Sequence, residues 1–116
     1  MGATTFANVG RGATAQDAFG GLVSSARYEY GHGGYTGTIA EKQGFTEFPV
    51  PAGVTVEQLV RWVEDFDPST PDASEIPAAH LALVQKIYRV WDDKWGPAAC
   101  LKVKDGEWVF FGWASE

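Results

Sequence analysis

Between Thr14 and Tyr30 the apolar positions Ala15, Ala18, Phe19, Leu22 and Ala26 recur three and four residues apart, the period of a helix with one buried face. Thr14 with Asp17 three positions later resembles a capping box, and Gly31 supplies a terminator. Gly20-Gly21 costs such a helix roughly 2 kcal/mol against Ala-Ala, which favours close packing on a sheet. A second helix follows the capping box Thr55-Val56-Glu57-Gln58, with Val56, Leu59, Val60, Val63 and Phe66 as its stripe and Pro68 as its stop. A Pro/Ser/Thr/Asp loop runs from Asp67 to Asp72. A third helix is predicted from near Ser74, with Pro77 in its first turn; it buries Leu83, Val84, Ile87, Val90 and Trp91 and closes at Gly96-Pro97.

Strand patterning accounts for the remainder. Thr4 to Val9 reads as a short strand, followed by a turn over 8–12. Thr36 to Ala40 and Phe45 to Val50 read as a hairpin around Lys42-Gln43-Gly44, with Ile39 and Phe48 on one buried face and Pro49 and Pro51 marking a sheet edge. Ala98 to Val103 and Trp108 to Trp113 flank Asp105-Gly106, a strong two-residue hairpin signal. Pairing Lys104 with Glu107 puts Ala99, Leu101, Val103, Trp108 and Phe110 on a core face. Cys100, Lys102, Val109, Phe111 and Trp113 then share a mixed face, either thinly covered or an interaction surface. The order βαββααββ predicts one α+β domain over 1–116: an antiparallel sheet of about four to five strands with three helices packed on one face.

Composition narrows the function. The chain has 116 residues and a formal charge of −6, and the acidic excess lies in residues 57–75, where six acids face Arg61 alone. No basic cluster compensates, so direct nucleic-acid binding is not expected, and the acidic segment is either a solvated face or a dock for a basic partner. No apolar run is long enough for a membrane span, and the N-terminus lacks the pattern of a signal peptide. Cys100 is the sole cysteine and is flanked by Ala99 and Leu101; it reads as a small buried hydrophobe. His32 and His80 stand at no metal-ligand spacing, so neither a metal nor another cofactor is expected.

The conspicuous segment is Tyr28-Glu29-Tyr30-Gly31-His32-Gly33-Gly34-Tyr35-Thr36-Gly37-Thr38. Glycine admits close approach of backbone to a ligand, tyrosine offers a stacking face with a polar tip, and His32 is a proton carrier. The segment is neither a P-loop nor a dinucleotide fingerprint, because no Gly-Lys-Ser/Thr follows and it runs from helix into strand. Two readings stand: a helix terminator with locally packed tyrosines, or a site for a small polar, nucleotide-like ligand or a partner. A carboxylate pair, Glu29 with Glu41, would meet across this loop.

Two blocks resemble small uncharacterised proteins of tailed phages and prophages. One runs from Met1-Gly2-Ala3-Thr4-Thr5-Phe6 through Gly31-His32-Gly33-Gly34-Tyr35-Thr36-Gly37-Thr38-Ile39-Ala40-Glu41-Lys42. The other is Lys94-Trp95-Gly96-Pro97-Ala98-Ala99 with Phe110-Phe111-Gly112-Trp113-Ala114-Ser115. The resemblance implies a virus-encoded accessory protein acting in a bacterial cytoplasm and transfers no activity. If the blocks converge, Tyr30, His32, Tyr35, Thr36, Thr38, Asp93, Lys94 and Trp95 share one binding site. The leading expectation is a non-enzymatic module that engages a host protein or a small polar ligand, with homo-oligomers compatible. The alternatives are a small enzyme on a nucleotide-like substrate, with His32 and Glu41 as acid–base groups, and a virion or assembly component contacting copies through Phe111 and Trp113.

Overall fold

A computed structural model describes residues 2–31, 34–70 and 76–116. Four strands form one mixed sheet: β1 (Ala3–Arg11), β2 (Phe45–Phe48), β3 (Ala98–Lys104) and β4 (Glu107–Ser115), in the spatial order β1-β4-β3-β2. Helix α1 (Ala15–Tyr30) follows β1, and α2 (Val56–Asp65) and α3 (Ala78–Trp91) lie between β2 and β3. The fold is α+β, and its elements follow the expected order with a 3₁₀ turn, Ile39–Glu41, in place of the second expected strand; the sheet is mixed rather than antiparallel throughout. β1 and β3 each pair antiparallel with β4, whereas β2 runs parallel to β3. That parallel pairing requires a long crossover, which α2 and α3 supply.

Local chemistry sets both ends of α1 and the start of α2 as the sequence indicates, whereas α3 ends at Trp91, short of the expected Gly96-Pro97. Thr14 accepts a hydrogen bond from the Asp17 amide at 3.1 Å, and Thr55 accepts one from the Gln58 amide at 3.1 Å. Gly31 takes a positive φ of 87° after α1, a conformation glycine adopts without a Cβ penalty. Pro77 occupies the N-cap position of α3 without a side-chain capping bond; the expected start at Ser74 lies outside the described residues.

Helices cover both faces of the sheet rather than one. On one face α1 buries Ala18, Phe19, Val23 and Ala26 against Ala98, Cys100, Trp108 and Phe110. On the other, α2 and α3 bury Leu59, Val63, Phe66, Val84, Ile87 and Trp91 against Ala99, Leu101, Val109 and Phe111. The two faces of the hairpin also exchange members. Lys104 pairs with Glu107 as expected, but a bulge between Lys102 and Lys104 moves Trp108 opposite Lys102 and Phe110 opposite Cys100. One extra residue flips every following side chain relative to its neighbour strand. Phe111 is therefore fully buried, and Trp113 packs edge-on to Trp91 with ring centroids 5.7 Å apart. The expected Phe111/Trp113 contact face packs against α2 and α3, which bury Phe111 and leave Trp113 half-buried.

Two further expectations change. Residues 36–40 form no strand; Ile39–Glu41 is a 3₁₀ turn, and Ile39 lies on the α1 face while Phe48 packs on the α2/α3 face. The cause is local: Thr38 Oγ1 accepts the Ala40 amide at 3.2 Å, and Glu41 Oε2 accepts the Thr36 amide at 3.1 Å. Such side-chain bonds offer the backbone an alternative to a sheet ladder. The tight helix–sheet approach also lies elsewhere than at Gly20-Gly21, where an added Cβ would meet nothing within 4 Å. It occurs at Gly10 on β1, where a Cβ would stand 2.9 Å from both the Ala18 carbonyl oxygen and Leu22 Cδ1.

Cys100 is fully buried. Burial, aided by the Glu47 charge, pushes its thiol up to about 12. Native protein is expected to react slowly with a thiol reagent at pH 8 and denatured protein fast; equal rates would show an exposed or activated thiol.

Candidate functional site

The two sequence blocks converge, and the residue that joins them is one the sequence did not single out. Lys42 follows the 3₁₀ turn, is 2% exposed, and aims its ammonium at the corner after α3. Nζ donates to the carbonyl oxygens of Asp93 at 3.0 Å, Lys94 at 3.4 Å and Gly96 at 3.0 Å. An ammonium has three donors, and each finds an acceptor. Burial works to lower the pKa of Lys42 and the Asp93 charge works to raise it; the net direction is downward. The signal available in sequence was position alone, since a lysine beside a turn ordinarily reads as solvated.

The corner is folded tightly around this ammonium. Asp93 Oδ1 accepts the Trp95 amide at 3.0 Å, and a Cβ on Gly96 would fall 2.7 Å from Asp93 Oδ2. Asp93 is thus a turn former whose carboxylate is engaged within the corner. Lys94 Nζ lies 5.0 Å from the Trp95 ring centroid, at cation–π distance.

Thr36, Thr38 and Glu41 face one another. Thr36 Oγ1 donates to Glu41 Oε2 at 2.7 Å and lies 2.8 Å from Thr38 Oγ1. Burial works to raise the Glu41 pKa, but the Thr36 hydroxyl and amide, the Tyr35 backbone and the Arg27 charge outweigh it and hold the carboxyl below its ordinary value. These three polar side chains shape the loop. Gly37 anchors it further: its amide donates to the Ser115 carbonyl at 2.8 Å, and at φ 70° a Cβ would stand 2.8 Å from Thr4 Cγ2.

What the loop presents outward is aromatic. Tyr35 is 61% exposed and Trp95 68% exposed, and they meet edge to face with centroids 6.4 Å apart. Tyr35 adopts a positive φ of 58°, among the described residues the sole non-glycine to do so. Tyr30, also exposed, borders a separate cleft of about 290 Å³ between β1, α1 and residues 37–39. His32 lies outside the described residues. His80 stacks on Trp62, with ring centroids 5.9 Å apart.

No helix in the described residues is long and apolar enough to cross a membrane. Compared with protein-family models, curated proteins and solved structures, the chain matches none.

Proposed function

We propose that this chain is a non-enzymatic binding module that engages a host protein through the surface shared by loop 34–38 and the corner after α3, with Tyr35 and Trp95 as its anchors. One observation carries the reading. An exposed tyrosine sits at a backbone angle that costs a side-chain-bearing residue about 1–3 kcal/mol, with its ring set against an equally exposed tryptophan. Folding gains little from such a pair, whereas rigid aromatic anchors are the residues that dominate protein interfaces. The latch beneath, from Lys42 to residues 93–96, fixes the corner that carries Trp95 before a partner arrives, which lowers the ordering cost of binding. Glu41 is committed to the Thr36 hydroxyl and amide and serves the loop as an ionised acceptor, which favours binding over acid–base catalysis. The resemblance of the two blocks to phage proteins supports the reading of a phage-encoded accessory protein whose partner belongs to the bacterial host cytoplasm.

The combined change Tyr35→Gly and Trp95→Ala separates this reading from local packing. Glycine at 35 removes the ring and relieves the positive φ, so the melting transition should stay in place or rise slightly. Capture of a partner from bacterial lysate, quantified by mass spectrometry, should fall at least about tenfold, since hot-spot aromatics carry about 2 kcal/mol or more each. Undiminished capture by a stable variant would sink the reading, and so would loss of the fold.

A further inference from the structure

We infer that the free edge of β1 takes up an extended segment of a partner protein as a fifth strand, seating alternate aliphatic and basic side chains in the cleft between β1 and α1. The inference rests on the reading that the partner docks beside loop 34–38, because Tyr30, Gly37, Thr38 and Ile39 help line that cleft.

The hydrogen-bond register fixes which backbone groups are free. Gly2 and Glu116 exchange both bonds, at 3.1 and 3.2 Å, and the Gly12 amide donates to the Gly106 carbonyl at 3.1 Å. The β1–β4 register is unbroken between these points. Even-numbered residues of β1 therefore pair with β4, and the amides and carbonyls of Thr5, Ala7 and Val9 point away from the sheet. Among the described residues none of these outward groups has a backbone partner. Thr5 and Ala7 are exposed, and Val9 is 53% exposed. The opposite edge of the sheet is blunted: β2 has four residues and runs into Pro49. β1 has nine residues and no proline, an open template for strand addition.

The cleft runs beside that edge. Phe6, Ala7 and Asn8 line one side, and Leu22, Ser25, Ala26 and Glu29, one helical stripe, line the other. Side chains of an added strand alternate between faces, so residues between those bonded to Thr5, Ala7 and Val9 enter the cleft. At about 290 Å³ it has room for one or two side chains. Phe6, Leu22 and Ala26 offer an apolar seat. Among the described residues of the lining Glu29 alone is charged, and the chain carries a net charge of −6, so the complementary neighbour, two residues along, is Lys or Arg.

The test pans the protein against a displayed random library of peptides of about ten residues, a typical full strand. Enriched sequences should alternate, with aliphatic and basic residues at positions i and i+2. Ala7→Pro removes one outward amide, at an edge where proline is tolerated, and should weaken the enriched peptide at least about tenfold without moving the melt. Glu29→Lys should transfer preference to a version with Glu in place of the basic residue. If Ala7→Pro fails to fold, N-methylation of alternate peptide amides against unaltered protein gives the same answer: methyls on edge-facing amides abolish binding, and those on the intervening ones do not. Enrichment without alternation, or binding indifferent to every backbone block, overturns the inference. A native dimer that Ala7→Pro converts to monomer also overturns it, by assigning the edge to a second copy. Should the Tyr35/Trp95 variant lose lysate capture while Ala7→Pro retains it, the loop reading stands and the edge assignment falls.

Discussion

Phe110→Ala should cost about 3–5 kcal/mol in chemical denaturation, the penalty for emptying a fully buried aromatic site. Phe110 lies at the centre of β4 with no exposed surface. Its ring meets Phe45 at 5.3 Å and Phe19 at 5.5 Å, and those two meet each other at 5.2 Å. The three rings come from β4, β2 and α1, so this single contact ties the helix of one face to both an edge strand and a central strand. Collapse around the vacated ring is hindered because the opposite face of β4 is fixed by Phe111 and Val109 against α2 and α3. A loss below about 1 kcal/mol would mean that α1 can settle onto the sheet without the ring, and that the α1 face adds little to the stability of the whole.

That double covering explains which parts of the fold were legible in the sequence. Helix caps were, because Thr14, Thr55 and Gly31 act within a few residues of their own position. The terminal hairpin was too, because Asp105-Gly106 dictates a tight turn regardless of what packs on it. The assignment of faces was not. An alternation argument needs unbroken pairing, and the bulge near Val103 breaks it without a glycine or proline to announce it. A strand buried on both sides also erases the polar half of the alternation, and Trp108-Val109-Phe110-Phe111 shows how. The site divided along the same line. Convergence of the two blocks and the exposure of Tyr35 follow from glycines and aromatics that are conspicuous in the chain. Thr36, Thr38 and Glu41 were expected to face a ligand or substrate, yet they bond to one another, since a short loop satisfies its polar groups internally before it offers them outward. Lys42 was missed because burial of an ammonium depends on carbonyls some fifty residues away.

Lys42→Met should destabilise the protein by about 2–3 kcal/mol and loosen the recognition surface without touching either of its rings. Methionine keeps the length and much of the volume of the stem, so packing beside Phe6 is largely retained. What disappears is the ammonium and its bonds to three carbonyls. Replacing a buried charge by an apolar side chain is often harmless when its partners are replaced as well. Here the partners are backbone carbonyls, which no substitution can remove, and they are left without their donor. Amide exchange at Trp95 and Gly96 should therefore quicken, and lysate capture should weaken as the Trp95 ring loses its fixed place against Tyr35. Linkage adds a pH signature. With the folded pKa of Lys42 below its ordinary 10.5, the unfolded chain binds more proton between those two values, so stability gains from this residue as pH rises through that interval. The advantage of the native protein over Lys42→Met should accordingly widen as pH climbs toward 10.5. A variant within about 0.5 kcal/mol of the native protein, with unchanged exchange across 93–96, would show that the corner after α3 is held by its own turn and that Lys42 is only a passenger there.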